Sequence, residues 1–187
     1  MNKKLSKDLF IYFLEWGINL NRRSIRINGS IDDDYFDILD EAFNIFELDR
    51  KKVTIRINSF GGDYYSALAI KDRIEASNLH KSNKVITEGY GKIMSAATIL
   101  LVSGNIRKMS KESWFMFHEI HTELPFDRAH IQRQEIYQMN REMQQFCRIM
   151  AENSCEDVLY WDNLAKHNEV YFNADQCIEL GIIDKIL

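Results

Sequence analysis

Apolar positions in the first half of the chain follow two periods, one typical of strands and one typical of helices. Residues 24–28 and 53–57 alternate between apolar and polar side chains, which predicts two β-strands. Two other stretches carry apolar residues at helical spacing, namely Tyr35, Ile38, Leu39, Ala42, Phe43 and Phe46, and then Ala67, Leu68, Ile70 and Ile74. This alternation of strands and helices predicts a layered α/β domain.

The second half of the chain continues the alternation of strands and helices. We expect a strand, a buried helix and an apolar strand at residues 84–87, 94–102 and 114–117. The last of these strands runs directly into His118. Near the end of the chain, Asn173 and Gln176 have the spacing of a capping box, and Gly181 suits the end of the helix that they begin.

Residues 127–152 differ from the rest and predict one long helix. An apolar stripe runs along it in steps of three and four residues: Ile136, Met139, Met143, Phe146 and Met150. The stripe is too short for a free-standing coiled coil, so it forms either core or a subunit interface. We favour the interface, because a helix this long on a small domain tends to project.

Composition limits the class of protein. For a chain of 187 residues we expect a single domain, residues 1–187. A composition of 45% hydrophobic and 28% charged residues excludes a disordered chain. The net charge of −4 gives the molecule as a whole no attraction to nucleic acid or to an anionic membrane surface. The longest apolar run, residues 93–102, is too short to span a bilayer, and no secretory signal is visible.

The cysteines indicate a reducing compartment. Three are present, an odd number without metal-ligand spacing: Cys147, Cys155 and Cys177. We therefore expect no disulfide and a cytoplasmic location. No residue pattern predicts a metal or another cofactor.

Two glycines and a serine are the first candidates for chemistry. Gly61 and Gly62 follow a predicted strand, where they permit a sharp turn and leave N–H groups free to face a substrate; an ordinary tight turn is the alternative. Ser95 precedes small and then apolar residues, so it opens the predicted buried helix beside N–H groups suited to a developing oxyanion. Serine is also a favoured N-cap, so capping is the alternative there.

A histidine and an acid are the remaining candidates. His118 ends an apolar strand, where a histidine is more often structural, and a Ser–His pair needs an acid to orient the imidazole. Glu169 lies in a polar, turn-like stretch, where acids are normally solvated. Its rivals are Asp162, on the solvated side of a helix, and Asp175, in a first helical turn where the helix dipole explains an acid.

Four segments resemble one known family, the proteolytic subunits of the Clp protease (ClpP). Residues 57–62 resemble its I-N-S-P-G-G segment, and residues 91–101 resemble G-Q-A-A-S-M-G-A-F-L-L around its nucleophile. Residues 116–118 are similar to its M-I-H strand end, and residues 172–187 to its C-terminal L-S-A…E-Y-G-L-V-D-x-I-L. Order and spacing run in parallel, so the chain is identified as a divergent member of this family.

The resemblance implies a ClpP/crotonase-like fold, with layered β-sheets, surrounding helices and a projecting handle helix. It implies a serine endopeptidase that cleaves unfolded polypeptides inside heptameric rings stacked as a tetradecamer, ATP-dependent when paired with an AAA+ unfoldase. Ser95 matches the family's nucleophile and His118 its general base, while Glu169 falls where the family has an Asp. The backbone N–H groups of Gly62 and Ala96 match its oxyanion hole.

The sequence departs from the family at several functional positions. Phe60 replaces a Pro, the acid is Glu169, one methylene longer than Asp, and residues 119–126 lack the family's Gly-rich substrate strand. The family's unfoldase-docking pocket is apolar, but the matching positions here are Thr54, Arg56 and Glu88. The resemblance therefore implies an unfoldase partner with altered docking.

Two other functions stay open. A structural or regulatory ring subunit with weak catalysis is compatible with the altered acid and the altered substrate segment. A crotonase-type acyl-CoA enzyme shares the fold and also stabilises an oxyanion, but it needs no Ser–His pair. The coincidence of Ser95, His118 and an acid therefore argues against this function.

Overall fold

A computed structural model describes residues 11, 13–121, 129–166 and 169–187 of the chain. Parts of three predictions lie outside these residues. They are the predicted start of the long helix at 127–128, residues 122–126 of the altered segment after His118, and residues 167–168 of the polar stretch before Glu169.

Strands and helices alternate along the described chain. The strands are β1 (Ile18–Asn19), β2 (Ser24–Ile31), β3 (Val53–Gly62), β4 (Val85–Met94), β5 (Ile106–Met109), β6 (Trp114–Phe117), β7 (Val170–Asn173) and β8 (Lys185–Ile186). The helices are α1 (Asp33–Glu47), α2 (Tyr64–Ala76), α3 (Asn78–Lys81), α4 (Ala96–Val102), α5 (Ala129–Glu152), α6 (Val158–Ala165) and α7 (Ala174–Glu179). The predicted α/β class is confirmed.

The strands form one sheet in the order β1-β2-β3-β4-β5-β8, and β6 and β7 branch from β4. The pairs from β2 to β5 and from β5 to β8 are parallel, as expected where helices connect the strands. β1 lies antiparallel to β2, and β7 lies antiparallel to β6.

Strand β4 is divided between two neighbours. Its first half pairs with β5, while residues 92–94 pair in parallel with β6. Between these halves the register against β3 jumps from Ile57 opposite Gly89 to Ser59 opposite Ile93. The extra β4 residues bend the strand away from β5, so β4 ends beside β6.

The core lies between the sheet and the helices. The apolar positions of the alternating strands are buried, Ile25, Ile27, Ile55 and Ile57 among them, as are most of the apolar residues predicted for α1 and α2. Helix α4 is buried along its whole length, which fits its uniformly apolar sequence. The predicted capping box is present, because the Asn173 side chain accepts from Gln176 N–H and the Gln176 side chain accepts from Asn173 N–H.

The long helix corrects part of the sequence interpretation. The stripe is not an interface throughout, because Met143, Phe146 and Met150 are buried in the core of this same chain. Their half of α5 lies against α4 and α6, which already cover the apolar stripe. In the other half Ile136 and Tyr137 remain exposed, at 46% and 66%.

No helix in the described ranges is both long enough and apolar enough to cross a membrane.

Candidate active site

Ser95 occupies a sharp turn between β4 and α4. Its backbone has φ 53° and ψ −128°, a left-handed conformation that is costly for any residue except glycine. The turn is held from both sides, because Ser95 N–H donates to the Met116 carbonyl at 2.9 Å and the Thr98 hydroxyl donates to the Ser95 carbonyl at 2.6 Å. The Ser95 side chain makes no capping hydrogen bond among the described residues, so capping does not explain this serine.

The glycine turn after β3 lies directly against Ser95. A Cβ atom on Gly61 would come within 2.7 Å of the Ser95 Cβ, and Gly61 has φ +101°, so only glycine fits. The buried Ser59 hydroxyl fixes the turn, accepting from Gly61 N–H at 3.0 Å and donating to the Gly29 carbonyl at 2.5 Å. The turn forms with Phe60 in place of proline, and Phe60 stays 62% exposed.

Adjacent strand ends bring Ser95 and His118 to one cleft. Met94 pairs with Met116 across β4 and β6, so the residues that follow these strands leave the same edge of the sheet. Gly62, Ser95, Ala96 and His118 line a cleft of about 340 Å³. Ala96 is the first residue of α4, so its N–H has no acceptor within the helix.

His118 is half-buried and carries a polar atom that needs a partner. Its Nδ1 is buried without a hydrogen bond in the described part of the chain. Burial lowers the pKa of His118, and the His121 ring, 4.8 Å away between centroids, lowers this pKa further, while Glu169 acts in the opposite direction. The imidazole is therefore neutral near pH 7 and available to accept a proton.

Glu169 leaves the strand pair at the same end as His118. Val170 pairs with Phe117 in β7 and β6, and these are the residues next to Glu169 and His118. The exposed Glu169 carboxylate accepts a hydrogen bond from the Tyr171 hydroxyl at 2.6 Å. Glu169 lines a neighbouring cleft and not the one that holds Ser95, whereas His121 lines both.

The rival acids have other roles in the described structure. Asp162 pairs with Lys166 at 2.6 Å on the surface of α6. Asp175 is exposed in the first turn of α7, as the sequence predicts.

Several side chains around the site escaped the sequence reasoning. Tyr171 follows Glu169 by two residues, and strand alternation would have placed both side chains on one face. Tyr65 donates a hydrogen bond to Glu142, and both line the cleft of Ser95. These two residues are 77 positions apart, and no local pattern indicates their contact. Glu142 has no ion-pair partner among the described residues, so it gives the cleft wall a negative charge that attracts positively charged groups.

Within the described residues, no group of three or more His, Cys, Asp or Glu side chains is arranged to hold a metal ion. Gly62, Ser95, Ala96 and His118 line one cleft, and a hydroxyl, an imidazole and backbone N–H groups are the kinds of group that acyl transfer requires.

We compared the sequence with known proteins and protein families. No curated protein matches the chain. The family model described as Clp protease matches residues 15–187, which include both branches of the sheet and every residue of the cleft. This match covers far more than half of the sequence, and the chain therefore belongs to the Clp protease family.

Proposed function

We propose that the chain is a serine endopeptidase with Ser95 as nucleophile, His118 as general base and Glu169 as the acid that orients it. The observation that carries this proposal is the convergence of the β4 and β6 ends. There a strained serine, a neutral histidine and the turn at Gly62 line one cleft. Membership of the Clp protease family supports a protease at the level of the family.

The chemistry follows from these positions. Ser95 Oγ attacks the peptide carbonyl carbon while His118 accepts the hydroxyl proton, and the carbonyl oxygen becomes an oxyanion. The backbone N–H groups of Gly62 and Ala96 donate hydrogen bonds to that oxyanion. His118 then passes its proton to the leaving amine. A water molecule then attacks the acyl carbon while His118 accepts its proton, and the bond between this carbon and Ser95 Oγ breaks as His118 returns the proton to Oγ and the carboxylic acid product leaves.

Glu169 requires one movement to act as the third member. Its carboxylate is bonded to Tyr171, and His118 Nδ1 is buried without a partner among the described residues. Glu169 and His118 leave the same end of paired strands, so the movement that we propose turns the Glu169 side chain away from Tyr171 and brings its carboxylate to Nδ1. That hydrogen bond fixes the tautomer and stabilises the imidazolium formed during attack.

The Clp protease family implies ring-like oligomers in general. We extend this to heptameric rings stacked as a tetradecamer, with unfolded polypeptides as substrates and a cytoplasmic location. Helix α5 matches the family's handle helix, and its exposed Ile136 and Tyr137 support an assembly in which the α5 helices of different subunits meet. An AAA+ unfoldase is the partner that the family implies; polar Thr54, Arg56 and Glu88 on the sheet support docking contacts different from an apolar pocket.

A fluorophosphonate probe, which reacts with activated serines, tests the nucleophile. We expect the purified protein to be labelled and the Ser95→Ala variant not to be labelled, with an unchanged native mass by light scattering. Ser82→Ala removes an exposed serine elsewhere and is the matched control, expected to be labelled like the parent. Labelling that survives Ser95→Ala would overturn the assignment.

A catalytically weak ring subunit is the second candidate. The hydrogen bond between Tyr171 and Glu169 favours it, because it holds the acid away from His118 in the described structure. This function predicts an oligomer of normal mass that neither reacts with the probe nor cleaves an unfolded polypeptide.

A further inference from the structure

Carboxylates are the only permanently charged groups on the described lining of the Ser95 cleft. Asp63 and Glu142 line it, and no lysine or arginine does. Neither carboxylate forms an ion pair within the described residues. His118 does not offset them, because burial favours its neutral form. A positively charged group is therefore stabilised on entering this cleft, and a negatively charged group is repelled.

Glu142 presents one carboxylate oxygen in a fixed position and leaves the other open. Its half-buried side chain accepts hydrogen bonds through Oε1, from the Tyr65 hydroxyl and from the Gln138 amide, the latter at 3.0 Å. The hydrogen bond to Glu142 raises the pKa of Tyr65, so this hydroxyl keeps its proton and remains a donor. Among the described residues Oε2 accepts no hydrogen bond, so it is open to a cation from outside the chain.

Asp63 has a structural task that Glu142 lacks. It caps helix α2, and its Oδ1 accepts from the Ser66 N–H at 2.7 Å and from the Ser66 hydroxyl at 2.8 Å. Asp63 therefore adds negative charge to the cleft while its position is determined by the helix. Glu142 is the carboxylate whose contacts place it for a ligand.

The contact with Tyr65 puts Glu142 on one side of the scissile bond. Gly62 directly precedes the N-cap of α2, and Tyr65 lies in the first turn of this helix. In the proposed mechanism the Gly62 N–H binds the carbonyl oxygen, whereas the leaving amine lies at His118. The residue whose carbonyl is attacked thus lies on the side of Gly62, Tyr65 and Glu142.

Apolar surface in the same cleft suits the stem of a long side chain. Buried Tyr64 and Phe146 both line it, with ring centroids 6.2 Å apart, and half-buried Ile120 adds to this surface. Lysine and arginine have an apolar stem and a cationic end. The cleft offers a partner for each part.

We propose that Glu142 is a specificity-determining residue, and that the cleft takes substrates with lysine or arginine at the residue whose carbonyl Ser95 attacks. The substrate cation contacts Glu142 Oε2, and its stem packs on Tyr64 and Phe146. This inference rests on the proposed peptidase function and names the substrate class of the same cleft.

The test compares kcat/KM for the aminocoumarin amides of acetyl-Ala-Ala-Lys and acetyl-Ala-Ala-Leu. We expect the parent protein to prefer the lysine substrate, with a preference that decreases at high salt. Glu142→Gln keeps the size of the side chain and should lower the ratio of the two kcat/KM values about tenfold. Glu142→Lys should favour a glutamate substrate over the lysine one. Glu152→Gln, which removes an exposed carboxylate at the end of α5, is the matched control and should keep the parent ratio.

A binding measurement separates this inference from the peptidase function. In the Ser95→Ala background, a dye-labelled, acetylated Ala-Ala-Lys-Ala-Ala peptide should bind more tightly than its leucine counterpart by fluorescence anisotropy, and Glu142→Gln should remove the difference. This preference in a protein that cleaves neither substrate would support the role of Glu142 and contradict the peptidase function alone.

Two results would overturn the role of Glu142. If the protein cleaves the substrates, the decisive result is a kcat/KM ratio that favours leucine or that Glu142→Gln leaves unchanged. If it cleaves neither, the decisive result is equal or absent binding of the two peptides.

Discussion

At the scale of residues, His118 shows how burial prepares a base. Its lowered pKa follows first from desolvation, which disfavours the charged imidazolium, and then from repulsion by His121. A neutral imidazole accepts a proton from Ser95 without first losing one. The same burial leaves Nδ1 without a partner among the described residues, which is costly unless a carboxylate reaches it in the active state.

The pH profile of peptide turnover should report this lowered pKa. Only the neutral form of His118 acts as the base, so turnover should rise with pH and reach half its maximum below the ordinary histidine value of 6.5. His121→Ala removes a repulsive charge, so it should raise the pKa of His118 and move the midpoint upward. His80→Ala, on helix α3, is the control. A downward shift in His121→Ala would contradict this origin of the pKa.

Glu169 has a competing partner, and this gives a sharp test of the third catalytic role. Glu169→Gln should lower kcat by about a hundredfold or more while the fold and assembly persist, because an amide cannot stabilise the imidazolium. Tyr171→Phe removes the competing hydrogen bond and should leave kcat at least as high as in the parent. Near-normal turnover in Glu169→Gln, with strong loss in Asp162→Asn or Asp175→Asn, would move the acid elsewhere.

At the scale of elements, helix α5 combines two environments along one apolar stripe. Phe146 is 2% exposed, and its ring centroid lies 4.8 Å from that of Phe117, the last residue of β6, which directly precedes His118. Ile136, nearly three turns earlier, is 46% exposed. The buried half therefore supports the strand that carries the histidine, and the exposed half is free to meet another subunit.

Charged substitutions should separate these two halves. Phe146→Asp buries an unpaired charge and should unfold the chain, seen as loss of the circular dichroism signal. Ile136→Asp should keep the fold and reduce the native mass by light scattering, because its carboxylate lies on the exposed half. Gln134→Asp adds the same charge at an exposed polar position of this helix and should change neither signal. A folded Phe146→Asp variant of normal stability would show that this half is not core.

The elements that the sequence predicts best are those with enough residues to show a period. Strands β2 and β3 and helices α1 and α2 have eight or more residues each and were anticipated from alternation or helical spacing. Strands β5, β7 and β8 have four, four and two residues. They are defined by pairing with strands distant in sequence, which no local pattern records.

The same reasoning applies to the site. Ser95 and His118 stand next to apolar segments whose strand and helix character is visible in the sequence, so their positions at element ends could be predicted. Their meeting depends on the bend in β4, where a register shift redirects the strand from β5 to β6. That bend results from pairing across three strands, so only the family resemblance indicated the site as a unit.

At the scale of the whole molecule, two buried thiols mark separate parts of the core. Burial raises the pKa of Cys147, on α5, to about 11 and the pKa of Cys177, on α7, to about 12. Cys155 lies between these two helices in the sequence, and its side chain is exposed. Because the thiolate is the reactive form, alkylation of the folded protein near neutral pH should be confined to Cys155.

This difference in reactivity tests whether the chain unfolds as one domain. If residues 1–187 form a single cooperative unit, Cys147 and Cys177 should become reactive towards iodoacetamide over the same narrow range of urea, together with the loss of near-ultraviolet circular dichroism. Intact-mass spectrometry counts the modified thiols, and Cys155→Ser isolates the two buried ones. Cys177 reacting at clearly lower urea than Cys147 would show that α7 and the C-terminal strand open separately. Coincident reaction would instead mean that the helix behind the catalytic strand and the helix that closes the chain share one core.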